Sequence, residues 1–383
     1  MTRVTIKPTM LTWARERARL QPEDLARRFP RLAAWERCEQ SPTLRQLEAF
    51  ARAVHVPVGY LFLPEPPTEP LPVPDLRTLA DRPVARPSPE LLDILYLCQQ
   101  RQDWYREYAQ LHGLARVPFV GAARLEDDPV DIAAHIRETL GLSVDERQQL
   151  PTWTHALRQM AEKADAAGVL VMASSVVGNN PHRKLEVAEF RGFALADDLA
   201  PLIFLNTADS KAAQMFTLAH ELAHIWLGQS GISDAEAGRR PTRWSERWCN
   251  AVAAELLAPL ADFRSRYQTE APLTDEIQRL ARHYKVSTLV ILRRVFDSGF
   301  IDEQTLWEAY RQELARLNTL ERQSTGGGNF YRTLSARTSR RFASAVVSST
   351  LEGQTPFQEA FRLLGIRKTA TFYATARELG VMA

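Results

Sequence analysis

Nine prolines fall within residues 64–90 and constrain how the chain can fold. Each proline fixes one backbone dihedral and removes a hydrogen-bond donor, so a packed helix or strand cannot continue through such a stretch. We therefore predict an extended linker over residues 66–90 with a separate domain on each side. A chain of 383 residues is long enough for two or three domains.

The element pattern predicts an α+β protein that is predominantly helical. Apolar runs flanked by turn residues predict buried strands of a small mixed sheet at 168–172, 190–195 and 201–206. Two amphipathic helices should follow, over 210–227 and 244–257. The predicted regions are a five-helix bundle at 1–65, the linker at 66–90, a helical connector at 91–150, a mixed domain at 151–305 and a helical, basic region at 306–383.

Charge is distributed unevenly along the chain although the net charge is only +2. Residues 1–60 hold eleven Arg/Lys against six Asp/Glu, and residues 329–383 hold eight against three. Basic ends permit contact with nucleic acid but do not require it. The three cysteines form no CxxC pair, which argues against a disulfide framework or a cysteine zinc knuckle. The start lacks an apolar signal core and no run of 18 apolar residues occurs, so we expect a cytoplasmic protein with no membrane partner.

The run HELAH at 220–224 carries the clearest chemistry. His220 and His224 are four residues apart, which places both imidazoles on one face of the predicted helix 210–227 and lets them reach one ion. Glu221 lies beside them, near enough to take a proton from a metal-bound water without binding the ion. This spacing predicts a catalytic zinc site.

A catalytic zinc site needs a third protein ligand. The next histidine is His283, so a carboxylate of the following helix is the natural source. Glu246 and Glu255 are the two candidates there, and their separation of nine residues puts them on opposite helix faces. Only one of them can point at the ion, and Glu246 shares its face with Asn250.

Two segments resemble the ImmA/IrrE family of metallopeptidases. They are FTLAHELAH at 216–224 and ERWCNAVAAELLAP at 246–259, and the likeness covers roughly residues 150–300. It implies a zincin-like domain with Glu246 as the third zinc ligand, and it leaves Asn250 and Glu255 as supporting residues around the ligands. His283, Tyr284 and Arg294 are the candidate donors to the oxyanion, and the sequence does not choose among them.

The amino-terminal bundle has a second resemblance. The residues WE at 35–36, followed by SPTLRQL at 41–47, are similar to the Cro/C1-type helix-turn-helix DNA-binding domain, in which Cys38 replaces the usual glycine. A helical docking domain with solvated arginines is the open alternative. The residues that could meet DNA phosphates are Arg27, Arg28, Arg31 and Arg37.

Together these features predict a zinc-dependent endopeptidase coupled to a DNA-binding domain. The ImmA/IrrE resemblance implies cleavage of a repressor-type regulatory protein, with control of transcription and a link to stress responses. An extended substrate could add to the edge of the strand at 201–206. Two alternatives stay open: a transcriptional regulator whose metallopeptidase-like domain acts only as a sensor, and a component of a toxin–antitoxin-like switch. A homodimer is a further open expectation.

Overall fold

A computed structural model describes residues 3–76, 87–233, 243–321 and 337–382. They are predominantly helical with one small mixed sheet, and they divide into two compact units. The first unit holds the described residues up to Pro72 together with 87–95, and the second holds 73–76 and the described residues from Tyr96 onward. Part of the predicted linker (77–86) and the glycine run 326–328 lie outside the described residues.

The first unit is built from short helices around an apolar core. Phe29 lies at its centre, 5.7 Å from the ring of Phe50 and 6.3 Å from that of Trp35. A capping box at Thr43 and Gln46 begins the fourth helix, because each side chain accepts from the backbone N–H of the other. The elements are α1 (Pro8–Arg17), α2 (Pro22–Ala26), α3 (Leu32–Glu36), α4 (Leu44–Ala53) and a 3₁₀ helix (Val58–Phe62).

Side chains at the two ends of helix α1 also hold the first residues of the proline-rich stretch. Lys7 Nζ donates to the carbonyl oxygen of Pro64 at 2.7 Å, and Arg17 Nη2 donates to Glu69 Oε1 at 2.7 Å. Extended proline-rich chain still offers carbonyl and carboxylate acceptors, so it can be fixed by side chains without forming a helix or strand. The predicted linker is therefore bound to the first unit over this part.

The second unit contains a four-stranded sheet of order β1-β3-β2-β4. Strand β1 pairs with β3 in parallel, and β2 pairs antiparallel with both β3 and β4. Both edges of β3 are therefore occupied, and the prediction that a substrate adds to residues 201–206 is wrong. The strands are β1 (Leu170–Ser174), β2 (Gly192–Leu195), β3 (Leu202–Asn206) and β4 (Gly231–Ser233).

Helices cover this sheet and carry most of the core of the second unit. The helix that bears HELAH packs on β2 and β3 and against two neighbouring helices. Among the described residues, none of the helices is long and apolar enough to cross a membrane. The helices are α5 (Pro89–Leu111), α6 (Pro129–Leu140), α7 (Val144–Gln149), α8 (Trp153–Ala166), α9 (Lys211–Leu227), α10 (Trp244–Leu257), α11 (Leu260–Arg266), α12 (Leu273–Tyr284), α13 (Thr288–Asp297) and α14 (Glu303–Glu321).

Three carboxy-terminal helices pack together, and the first of them contacts α8: α15 (Arg340–Leu351), α16 (Phe357–Leu364) and α17 (Thr369–Leu379). The carboxylate of Asp165 accepts from Ser339 Oγ and from the backbone N–H of Arg341, the latter at 2.9 Å. Arg101 of α5 donates from Nε to the carbonyl oxygen of Leu363 at 2.9 Å. These buried polar contacts join the carboxy-terminal helices to the second unit.

Candidate metal centre

Helix α9 is buried along nearly its whole length, and its ends explain its position. Ser210 begins it, since its side chain accepts from the backbone N–H of Ala213 at 3.2 Å. Gly228 ends it with φ of +66°, a left-handed conformation that glycine adopts without strain. Every side chain from Gln214 to Trp226 is buried. A helix with this much buried surface carries polar groups only where they find partners.

Three buried side chains meet at one point between α9 and α10. His220 Nε2 lies 3.2 Å from Glu246 Oε2, and His224 Nε2 lies 3.0 Å from Glu246 Oε1. The two Nε2 atoms are 3.1 Å apart. The candidate ligand atoms lie within 4.8 Å of one another, and all three residues are buried. Among the described residues, this is a group that could hold a metal ion.

The donor set and one unsatisfied oxygen both fit a cation. Two imidazoles and one carboxylate are a ligand set that catalytic zinc sites use, with water in the remaining position. Glu246 Oε1 is buried and, despite its proximity to His224, makes no hydrogen bond of acceptable geometry to any residue that the structure describes. A buried carboxylate oxygen in that condition is costly unless a cation binds it.

Asn250 orients the first ligand. Its Oδ1 lies 2.9 Å from His220 Nδ1, which sets that ring nitrogen as the donor and leaves Nε2 free to bind an ion. Asn250 lies one helical turn beyond Glu246 on α10, so the same helix face supplies a ligand and the residue that orients another ligand.

Glu221 lies on the sheet side of the centre and is fully buried. Its Oε1 accepts a hydrogen bond from Ser233 Oγ of β4, and its Oε2 has no hydrogen-bond partner in the described part of the chain. Burial raises the pKa of this carboxyl to about 8, although the neighbouring His224 and Ser233 act in the opposite direction. A carboxyl with that pKa can take up and release a proton near neutral pH.

The absence of a side chain at Gly192 makes room for Glu221. A Cβ at that position of β2 would lie 2.6 Å from Thr217 Cγ2, 2.9 Å from the carbonyl oxygen of Phe204 and 3.2 Å from Glu221 Oε1. Any residue with a side chain at position 192 would push α9 away from the sheet. The glycine therefore sets how closely Glu221 approaches Ser233.

The structure places Glu255 away from the histidine pair. Its Oε2 is 2.5 Å from Arg294 Nη2, and its carboxylate accepts from the backbone N–H of Leu260 at 3.2 Å. Nine residues of helix separate it from Glu246, or roughly 13 Å along the axis. Glu255 is bound at the far end of α10, and it does not support the ligands.

The three predicted oxyanion donors are not brought to the centre either. Arg294 is held by Glu255 and by the carbonyl oxygen of Ala258 at 2.9 Å. Tyr284 donates from its hydroxyl to Asp262 at 2.7 Å, and the ring of His283 contacts that of Tyr284. These side chains make their contacts among α10, α11, α12 and α13, at the end of α10 that holds Glu255.

Sequence reasoning missed Ser233, which is the hydrogen-bond partner of Glu221. It belongs to a strand of three residues, too short to show an alternating pattern. Cys249 is nearby, but among the described residues the ligand atoms that meet are those of His220, His224 and Glu246, and burial raises the pKa of the Cys249 thiol well above its usual value. No local signal in the sequence marks Ser233.

The four arginines predicted to contact DNA lie in the first unit. Each is exposed, and the guanidinium of Arg28 lies over the ring of Phe29 at 5.4 Å. Arg37 pairs with Glu39 at 2.7 Å, and this partner raises the pKa of Arg37. Helix α3, which lies between Arg31 and Arg37, has five residues. Cys38, just beyond it, has φ of +61°, so it occupies the left-handed region where glycine would be favoured.

Two histidines one turn apart, a buried glutamate beside the first and a carboxylate from the next helix define a metallopeptidase-type site. In agreement, residues 164–296 match the family model of the IrrE N-terminal-like domain, and this region belongs to the ImmA/IrrE family. The chain is also 35% identical over 91 residues to the radiation response metalloprotease IrrE of Deinococcus radiodurans.

That similarity is confined to a part of each protein. It covers 22% of this chain and 28% of the relative, so the match spans little more than a quarter of the length of IrrE. At the carboxy terminus, residues 338–378 match a domain of unknown function, DUF8813. This second match coincides with the three carboxy-terminal helices.

Proposed function

We propose that the chain is a zinc-dependent endopeptidase that cleaves a repressor-like regulatory protein and thereby controls transcription. The observation that carries the proposal is the convergence of His220, His224 and Glu246, in which one carboxylate oxygen has no hydrogen bond from the residues that the structure describes. The partial match to a metalloprotease supports it. Zinc is the preferred ion because tetrahedral sites built from two histidines and one glutamate suit it.

The residues around the centre have separate tasks in this mechanism. A zinc ion at the three ligands would lower the pKa of its bound water and polarise the scissile carbonyl. Glu221 accepts the proton of the attacking water and later gives it to the leaving amine. Ser233 fixes one oxygen of Glu221 by its hydrogen bond, which leaves Oε2 as the atom that carries the proton.

The decisive experiment compares the wild-type chain with Glu221→Gln. Both proteins should contain stoichiometric zinc by mass spectrometry of the metal, because Glu221 is not among the three ligands. Newly formed protein termini, mapped in cells that express each chain, should be present with the wild type and reduced by about 10²–10⁴-fold with the variant. Glu352→Gln, at an exposed carboxy-terminal residue, is the matched control and should behave as wild type.

The outcome also separates the alternative functions. If Glu221→Gln retains zinc and all cellular effects of the wild type, the peptidase function is refuted, and a role as sensor or switch component that acts by binding takes its place.

We further infer that the first unit binds DNA. The exposed arginines that surround α2 and α3 favour this function, because clustered guanidinium groups can neutralise phosphates. The full chain should retard duplex DNA at low salt and lose affinity steeply as salt rises. Replacing Arg27, Arg28 and Arg31 together by glutamine should abolish the shift, and retention of full affinity by this variant would refute the inference.

A further inference from the structure

The outer edge of β4 is occupied by residues 73–76 of the same unit, which we call the edge segment. The backbone N–H of Ile232 donates to the carbonyl oxygen of Pro74 at 3.1 Å, and that of Leu76 donates to the carbonyl oxygen of Ile232 at 3.0 Å. The pairing is parallel, with Asp75 opposite Ile232. The edge segment thus extends the sheet by one bridge beyond β4.

This pairing is short for a chemical reason. Pro72 and Pro74 have no backbone N–H, so the edge segment cannot continue a ladder in the amino-terminal direction. A peptide that carried a donor at each residue could form more hydrogen bonds along the same edge. The edge segment is therefore an occupant that another extended chain can replace.

Leu76 of the edge segment fills a space next to Gly231. A Cβ on Gly231 would lie 2.4 Å from Leu76 Cδ1 and 2.7 Å from Leu76 Cγ, far inside normal contact distance. Leu76 is only 8% exposed in this position. The missing side chain at Gly231 creates room for a branched aliphatic group on the neighbouring chain.

That space lies on the face of the sheet that holds the candidate catalytic residue. Side chains alternate along a strand, so positions 231 and 233 of β4 point to the same face. Ser233 donates to Glu221 on that face. Gly192, which pairs with Ser233, also faces Glu221. Leu76 consequently lies on the same face of the sheet as the Ser233–Glu221 pair.

We propose that the outer edge of β4 is the peptide-binding edge of the enzyme and that the edge segment fills it in the resting chain. The ligand is an extended peptide that adds to β4 through backbone hydrogen bonds and places a leucine-sized aliphatic side chain over Gly231. This deepens the proposed function and rests on it for one consequence: the edge segment must leave before a substrate is cleaved.

Two features favour this edge over the position at β3. Strand β3 is enclosed by β1 and β2, so it cannot accept a further chain. Strand β4 supplies the side chain that contacts Glu221, so a peptide added to β4 comes close to the residue that handles the proton. His220, Glu221 and His224 are all fully buried, which means that a substrate must displace part of the chain to reach them.

Peptide binding by the full-length chain tests the proposal without requiring turnover. The probe is a fluorescein-labelled peptide with the sequence of residues 70–77, PLPVPDLR, titrated by anisotropy against chains that carry Glu221→Gln. Adding Leu76→Asp to the chain should increase affinity for the probe by at least about tenfold, because a competitor tethered in the same molecule has been weakened. Equal affinity of the two chains would overturn the proposal.

Gly231→Ala tests whether the peptide binds over Gly231. Its methyl group enters the space meant for the leucine side chain, so the chain with Leu76→Asp and Gly231→Ala should bind the probe at least about tenfold more weakly than the chain with Leu76→Asp alone. A probe with glycine in place of leucine should be insensitive to the added methyl. If Gly231→Ala has no effect on the original probe, the peptide binds elsewhere and the proposal fails.

Hydrogen exchange on the chain with Leu76 unchanged covers the case in which Leu76→Asp does not fold. Excess unlabelled peptide should accelerate exchange at the amide of Leu76 and leave that of Ile232 protected, whereas no change at Leu76 would contradict the proposal. Neither readout depends on metal or cleavage. A chain that binds the probe at β4 but cleaves nothing refutes the peptidase function alone, and cleavage without probe binding refutes this inference alone.

Discussion

Helix α10 carries a buried glutamate near each end, and the protein surrounds the two carboxylates differently. At the carboxy-terminal end, Glu255 is paired with the guanidinium of Arg294 and with a backbone N–H. At the amino-terminal end, Glu246 faces the imidazole nitrogens of His220 and His224, and its Oε1 has no hydrogen bond among the described residues. Glu255 is therefore paired with a cation that belongs to the protein itself. Glu246 lies instead among side chains that could bind an exchangeable metal ion.

The surroundings of the carboxy-terminal end explain why Glu255 is a structural residue. Arg137 donates to the carbonyl oxygen of Glu255 at 2.8 Å, Arg147 to that of Leu257 and Arg294 to that of Ala258. These carbonyls have no partner within the helix, and cations at this end also complement the helix dipole. Helical periodicity distinguishes the faces of Glu246 and Glu255, but only the packed structure shows which cation each carboxylate meets.

The largest expected difference between the two glutamates is in metal affinity. Glu246→Gln should weaken zinc binding about a thousandfold, since one of three ligands accounts for roughly a third of the 10–16 kcal/mol typical of apparent zinc affinities. Competition with a chromogenic chelator measures this. Glu255→Gln should keep the affinity of the wild type, and equal losses in both variants would remove the distinction between the two ends.

The variants Glu246→Gln and Glu255→Gln should rank in the opposite order when the free energy of unfolding is measured. Glu255→Gln leaves the guanidinium of Arg294 buried without its main partner and should cost about 3 kcal/mol in urea denaturation, at the lower end of the usual range because Asp297 and the carbonyl oxygen of Ala258 still contact that side chain. Glu246→Gln in the metal-free protein should cost much less. As a control, Glu39→Gln at an exposed ion pair should leave the transition unchanged.

A smaller effect is expected from the residue that orients His220. Asn250→Ala should reduce zinc affinity by about 10–100-fold, because the acceptor that fixes the imidazole tautomer is lost. Asn250→Asp retains an acceptor and should remain within a few-fold of wild type by the same chelator assay. Equal zinc affinities of Asn250→Ala and wild type would show that Asn250 has no part in orienting His220.

The smallest expected effect concerns acid stability of the metal-free protein. Burial acts to raise the pKa of Glu246, but the nearby imidazoles of His220 and His224 outweigh it and lower this pKa below its usual value of 4.5. The contribution of ionised Glu246 to the stability of the folded protein is therefore present above pH 4.5, and it is lost as the pH falls through the folded-state pKa. Thermal melts below pH 4.5 should decline less steeply for Glu246→Gln than for wild type, and parallel declines would contradict this.

Much of the centre could be predicted because it depends on local sequence. The ends of α9 follow from Ser210 and Gly228, and the spacing of His220 and His224 fixes a common helix face. Helix α10 spans Trp244–Leu257, the bounds that the pattern predicts. The face that bears Glu246 and Asn250 is then a consequence of helical geometry.

The rest depends on pairing between segments that are distant in sequence. Strand β4 has three residues and no periodicity, so neither Ser233 nor its contact with Glu221 could be anticipated. The position of β3 inside the sheet is set by two partners, which the apolar run alone cannot reveal. No pattern in the sequence marks Arg294 as a buried residue, and its pairing with Glu255 arises from tertiary packing.

The contacts of Asp165 bear on how this protein can be divided into fragments. A fragment cut at the limits of the family match, 164–296, would contain all three candidate ligands but would deprive Asp165 of Ser339 and Arg341. It would also lack Arg101, which ties α5 to the carboxy-terminal helices. The length of chain that carries the chemistry is shorter than the length that folds as one body, so autonomous fragments should begin before Arg101 and extend through α17.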